Sequence, residues 1–461
     1  MSTAPLTAGK TDAAMIRRVR RAGAIGNFIE YFDNALYAYF AVTIAALFFP
    51  KVDPVAGLLS TFAVFGVAFF IRPLGGVVFG HIGDRWGRKL QLILALLLMS
   101  VSTTAIGLLP TYDSVGLLAP VLLMACRLLQ GFSVGGESTG AFVLVVEHSP
   151  VATRGRNTAP LIVFTIAGAA CAALLAMFIT TSLSPDQLLA WGWRLPFFAA
   201  VPLGLVGLWL RMSIDDSDAF KEAAKTSGAA SKRAAGKHEA PLLRAIRTVP
   251  KEMFILFSWV AMQAVAGYLI IGYMVSHLVQ FEGYTMTTAL LILVGALTIV
   301  MFTVTGMGRL ADKISRKKFA MVISVALLVW TFPAFFLLEL GPVAAVIALA
   351  IHATFMYSSM LAAGMAIVEL FPVDVRSSAS GLAYSAAFSV FGGTIPFIAT
   401  WFAANFGPVA PAYYVVAFAA IGVFVAWLGL PNAREMAVTT EQVQSLRQDA
   451  GPERETIRAF D

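Results

Sequence analysis

Charge is scarce in this chain. Asp, Glu, Lys and Arg make up 13% of its 461 residues, about half of the roughly 25% found in soluble domains. Hydrophobic residues make up 59%, and the mean hydropathy is +0.80. A globular chain could not bury that much apolar surface, so the excess must face lipid. A soluble enzyme and a disordered scaffold are therefore excluded. Cysteine is nearly absent as well. Cys126 and Cys171 both sit in apolar stretches, which gives neither a disulfide framework nor a metal-ligand set. No phosphate-cradling glycine loop, Ser/His/Asp set or Cys/His ligand spacing occurs. No cofactor or metal and no enzymatic activity is expected.

Long hydrophobic runs are abundant. They fall at about 23–49, 56–81, 90–109, 115–147, 158–183, 192–212, 252–281, 287–310, 319–339, 343–370, 377–403 and 409–431. Each is long enough for one membrane helix, and interruptions by Gly, Pro or a charge are tolerated inside a bundle. The expected class is an all-α membrane protein of twelve transmembrane helices. Its expected organisation is an N-terminal tail (1–22), a six-helix bundle (23–212), a linker (213–250), a second six-helix bundle (251–431) and a C-terminal tail (432–461).

All 33 basic residues except Lys51, Arg72, Arg127 and Arg194 fall in the tails, the linker and alternate loops. Positive charge marks the cytoplasmic side, so both termini are expected there. The same spread argues against nucleic acid, since no basic patch forms. The tail carries Arg17, Arg18, Arg20 and Arg21 and leads directly into a full span, unlike a cleavable signal peptide.

The two halves repeat. GHIGDRWGRK (80–89) is echoed by GRLADKISRK (308–317), matching Asp84 with Asp312 and Arg88 with Arg316. EHSPVATRG (147–155) is echoed by ELFPVDVRS (369–377), matching Glu147 with Glu369 and Arg154 with Arg376. Transporters are commonly built from such duplicated units, with the substrate near the midplane between them.

These motifs resemble the major facilitator superfamily. GHIGDRWGRK matches its inner-loop signature, and RLLQGFSVGGE (127–137) resembles the fourth-helix motif of proton-coupled members. GNFIEYFDNALYAYFA (26–41), FFIRPLGG (69–76) and WGWRLPF (191–197) resemble the metabolite:proton symporter branch. Members of that branch carry dicarboxylates, citrate, 2-oxoglutarate, shikimate, or proline and betaine. The resemblance implies two pseudo-symmetric six-helix bundles in a bacterial plasma (inner) membrane and a monomeric transport unit. The implied partners are protons, the lipid bilayer and a small organic acid or zwitterionic metabolite. It also implies a cytoplasmic gate of Asp84, Arg85, Arg88, Glu147 and Arg154, mirrored by Asp312, Arg316, Glu369 and Arg376. The second inner-loop copy departs from the pattern, with Ala311 and Ser315 where Gly is expected.

A charge at mid-bilayer costs about 2.5–3.5 kcal/mol, so each one calls for a reason. Glu30 and Asp33 lie roughly 10 and 15 Å into the first span, and Arg72 lies at similar depth in the second. Glu30, Asp33 and Tyr37 share one helical face. An acid near a guanidinium can take a proton in one state and release it in another, which makes Asp33, Glu30 and Glu137 candidates for proton coupling. The plainer alternative is a permanent Asp33–Arg72 pair locking two helices. Arg127, Gln130 and Glu137 run along one face of the fourth span, where Gly131, Gly135 and Gly136 permit close approach. Arg127 and Arg72 are candidate anchors for a substrate carboxylate, because the guanidinium fork suits that group. Tyr37, Gln130, Gln263 and Tyr268 complete the candidate substrate set. His277 and His352 read more simply as hydrogen-bonded structural residues.

The expected activity is proton-coupled uptake of a small carboxylate-bearing metabolite by alternating access. Two alternatives remain open: a proton-driven exporter of drugs or sugars on the same fold, and a membrane sensor whose transport is vestigial.

Overall fold

A computed structural model describes residues 8–50, 53–86, 88–134, 142, 145–146, 149–212, 241–372 and 375–429. Its side chains are described over the same residues except 8–22, 80–81, 83–89, 92, 210–211, 241–244 and 377. Helices account for nearly all of the described chain. They are α1 (Ala8–Tyr39, continuing as Ala41–Phe48), α2 (Pro54–Phe70, resuming as Arg72–Trp86), α3 (Arg88–Leu108) and α4 (Leu118–Val134). Next come α5 (Arg154–Ser182), α6 (Gly192–Trp209), α7 (Pro250–Gln280) and α8 (Met286–Lys313). The last four are α9 (Arg316–Leu338), α10 (Pro342–Leu370), α11 (Ser378–Phe406) and α12 (Pro411–Gly429). Among the described residues nine helices are long and apolar enough to cross a membrane. The pair forming α1, bent by 57°, gives a tenth. The shorter apolar helices Ile93–Leu108 and Leu118–Val134 complete twelve.

Polar caps set several helix starts. The Asp53 side chain accepts from the Val55 N–H, with Pro54 in the first turn of α2. Thr285 caps α8 and Ser315 caps α9 through the Lys318 N–H. Each cap satisfies a donor that the helix itself leaves unpaired. Ser315, a departure from the repeated glycine pattern, therefore has a local role.

The first six helices pack together, α1 on α5, α3 on α4 and α6, and α2 on α4. The second six do likewise, α7 on α10, α11 and α12, and α9 on α10 and α12. The bundles meet where α5 lies along α8, α2 along α11 and α1 against α7. The most apolar stretch of α7 is 89% buried and that of α12 33%, which puts α7 at the centre and α12 at the rim. Phe178, Trp209, Phe302 and Trp427 point outward, as a lipid-facing surface requires. This is the major facilitator architecture of two six-helix bundles.

Three interruptions shape the interior. At Ile71 the helix breaks, because Pro73 has no N–H to donate and its ring crowds the preceding turn. Wide π turns occur at Leu269–Tyr273 in α7 and Phe388–Gly392 in α11; such turns are frequent at functional sites. The WGWRLPF segment is structural. Arg194 Nη1 donates to the carbonyls of Gly107 (2.8 Å) and Leu109 (2.7 Å), closing the end of α3. Trp193 is buried edge-on against Phe48.

Candidate functional site

Glycine sets the spacing of the first bundle's polar centre. A Cβ on Gly131 would collide with the Ala68 carbonyl, and one on Gly75 with the Phe132 carbonyl. The backbones of α2 and α4 therefore touch at two levels, which holds Arg72, Arg127 and Gln130 close to α1. Gly135 and Gly136 lie outside the described residues.

Two polar groups result. In the first, Arg72 Nη1 lies 3.6 Å from Glu30 Oε1, both side chains buried. The Arg72 guanidinium stacks over the Phe69 ring at 3.9 Å and lies against the Tyr268 hydroxyl. In the second, Thr103 Oγ1 on α3 donates to Asp33 Oδ2 (2.9 Å), and Gln130 Nε2 donates to Thr103 Oγ1 (2.6 Å). Arg127 Nη1 donates to Gln130 Oε1 (2.8 Å). The Arg127 guanidinium rests over the rings of Tyr37 (4.3 Å) and Phe65 (5.0 Å). The Tyr37 hydroxyl donates to the Thr61 carbonyl (3.1 Å).

The expected Asp33–Arg72 pairing gives way to a different one. Arg72 takes Glu30, and Asp33 takes Thr103. The break at Ile71 removes the continuous helix on which an equal-depth count depends. Neither a coupling pair nor a fixed lock forms between Asp33 and Arg72 among the described residues.

A cavity of about 20 Å³ lies between the bundles, room for about one water. Asn27, Glu30, Tyr31, Arg72 and Phe142 line it from the first bundle, and Met360, Tyr384, Ser385 and Phe388 from the second. Tyr384 and Phe388 stack at 4.8 Å. Tyr268 packs edge-on against Phe65, Phe69 and Phe388. Gln263 is buried beside Tyr384, and its Oε1 has no hydrogen-bond partner. The hydroxyls of Tyr39 and Tyr357 and the Nε atoms of Arg72 and Arg127 are also buried without one. Buried polar atoms are nearly always satisfied, so the unpartnered Arg72 Nε in the cavity wall is open to water or a ligand. Asn27, Tyr31, Thr103, Tyr384 and Phe388 were not singled out in the sequence. Tyr31 and Tyr384 sit in apolar helices, where an aromatic carries no site signal by itself.

Glu137 and Glu147, together with the side chains of Asp84, Arg85 and Arg88, lie outside the described residues. Four of the other residues expected at the gate, Arg154, Asp312, Arg316 and Glu369, meet at the start of α5. Arg154 Nη1 lies 3.0 Å from Glu369 Oε1, and Arg316 Nε lies 3.4 Å from the same oxygen. Asp312 Oδ1 and Oδ2 accept the N–H groups of Gly155 (2.7 Å) and Arg156 (2.9 Å). A carboxylate of the second bundle thus caps the first turn of α5 in the first, where the helix dipole favours negative charge. Arg376 Nε donates within its own bundle, to the Phe371 carbonyl. His277 bridges the Tyr273 hydroxyl (2.9 Å) and Glu282 (3.2 Å), whereas His352 is buried with Nε2 unpartnered. Among the described residues no cluster of His, Cys, Asp and Glu could hold a metal ion.

Comparison with known proteins agrees with this architecture. The family model for sugar (and other) transporters matches residues 22–444. The chain is 34% identical over 414 residues to the glycine betaine/proline/ectoine/pipecolic acid transporter OusA of Dickeya dadantii, covering 89% of this chain and 82% of that one. It is likewise 34% identical over 416 residues to the proline/betaine transporter of Escherichia coli K12, covering 89% and 83%. Among solved structures, the xylose transporter XylE from E. coli, in a partially occluded inward-open conformation, matches with a TM-score of 0.71 and 16% identity. That match covers 91% of this chain and 99% of XylE. The chain belongs to the sugar (and other) transporter family, within the major facilitator superfamily. It is a multi-pass membrane transporter and not an enzyme.

Proposed function

We propose that this transporter takes up a small zwitterion, a carboxylate joined to a substituted ammonium as in betaine or proline, together with protons. One observation carries this reading: the Glu30–Arg72 pair lines a cavity whose remaining wall is largely aromatic, and which widens to admit the zwitterion as the bundles rock apart. One acid and one guanidinium make a site of no net charge. A net-neutral zwitterion leaves that balance intact, whereas a dicarboxylate brings two negative charges into a low-dielectric space. The Arg72 fork suits the carboxylate. The faces of Tyr31, Phe142, Tyr384 and Phe388 suit a desolvated ammonium, an attraction worth up to about 2 kcal/mol. The names borne by the relatives fit the same chemistry.

Asp33 is the proton carrier in this reading, since it is buried and bound to a hydroxyl, with no ion pair among the described residues. Arg127 is the cation that faces it from α4. The Arg154–Glu369 and Asp312–α5 contacts form the gate on the face where α1 begins, which is the cytoplasmic face by the distribution of basic residues. They break as the bundles rock and re-form behind the cargo. The driving force suffices. One charge crossing 100 mV supplies about 2.3 kcal/mol, roughly fiftyfold accumulation.

Purified protein in liposomes, under an imposed proton gradient, tests this with labelled glycine betaine, proline, citrate, shikimate and xylose. Zwitterion accumulation that collapses on adding a protonophore is expected. Accumulation of citrate or xylose alone, or zwitterion accumulation insensitive to the protonophore, would overturn it.

A further inference from the structure

Thr103 has one hydroxyl proton and two acceptor sites, yet three partners surround it. Gln130 Nε2 donates to its oxygen at 2.6 Å. Asp33 Oδ2, at 2.9 Å, and the Met99 carbonyl, also at 2.9 Å, both compete for its proton. One proton cannot satisfy both acceptors at once. Threonine in a helix ordinarily bonds back to the carbonyl four residues earlier, so the Met99 contact alone would be unremarked. The presence of a buried carboxylate at the same distance is what makes the position unusual.

From this geometry we infer that Thr103 is a positioning residue that serves Asp33 in both of its protonation states by reversing one hydrogen bond. With Asp33 ionised, Thr103 O–H donates to Oδ2. When Asp33 gains a proton, its new O–H donates to the free acceptor site on Thr103 Oγ1, and the Thr103 proton turns to the Met99 carbonyl. No proton leaves Thr103, and the one added at Asp33 is the one later released. Gln130 donates to Thr103 throughout, and Arg127 keeps its bond to Gln130. The carboxyl group thus changes charge inside a buried site without leaving any of these groups unpaired. Among the described residues the charged side chain facing Asp33 from α4 is Arg127, while Glu30 on α1 and Arg72 on α2 are occupied with each other. Thr103 is the neutral partner from α3.

The inference rests on the reading of Asp33 as proton carrier, and the test separates the two. Infrared difference titration of the purified protein in lipid reads the protonated-carboxyl band directly, without a substrate. The band that disappears in Asp33→Asn belongs to Asp33. If no such band titrates, the proton-carrier reading fails and the inference with it. If one does, Thr103→Val is expected to move its midpoint to higher pH by about one unit, because a charge-assisted bond lost by the ionised form outweighs the neutral one lost by the acid. Thr103→Ser, which retains the hydroxyl, should titrate as the wild type does. Thr103→Ala provides the same comparison should the Val variant fail to fold. An unmoved Asp33 band in Thr103→Val or Thr103→Ala would overturn the inference, as would an equal shift in Thr103→Ser.

Discussion

Arg72 meets Glu30 at 3.6 Å, one helical turn before the acid that stands nearest the Arg127 side. The centre of the first bundle is thereby divided into an ion pair that lines the cavity and a chain of hydrogen bonds from Arg127 through Gln130 and Thr103 to Asp33. Arg72→Lys keeps the charge but loses the fork. Uptake of labelled betaine should show KM raised roughly ten- to a hundredfold, the value of one charge-assisted bond of about 1.5–3 kcal/mol. An unchanged KM would confine Arg72 to packing.

Glu369 holds two arginines, one from each bundle. Glu369→Gln removes the charge from a buried cluster and should move the population toward opening of that face by roughly ten- to a hundredfold. Spin labels on Val151→Cys and Leu310→Cys, both exposed beside the contact, report the change as a longer distance. An unaltered distance distribution would show that the cluster does not lock this face.

Gly131 admits the Ala68 carbonyl where a methyl group cannot fit. Gly131→Ala must push α2 and α4 apart, at about 1–3 kcal/mol. The purified variant should melt at lower temperature and bind substrate more weakly, because Arg72 and Gln130 sit on the two displaced helices. A variant as stable and as active as wild type would show that the contact is not tight in the membrane.

Much of the fold was legible in the sequence, and less of the site. Twelve apolar runs and two repeated motifs define the architecture, because hydropathy and charge act locally along the chain. Arg127 and Gln130 share one face of α4 by helical spacing, and in the structure their side chains hydrogen-bond. The Arg72 partner could not be read in that way. It depends on rotation beyond the break at Ile71, and a count of rise per residue carries no rotation. Thr103 gave no signal, since threonine is common in membrane helices and its role arises only from what α1 and α4 bring to it. The cavity's aromatic wall, Tyr31 with Tyr384 and Phe388, is assembled across the two bundles and is visible only once they are packed.

In the proposed mechanism Asp33 carries the coupled proton, and Asp33→Asn in liposomes tests that most directly. The variant should still exchange labelled betaine for unlabelled across the membrane, yet fail to accumulate it against a gradient when protons are supplied. Accumulation at the wild-type level by Asp33→Asn would contradict the assignment.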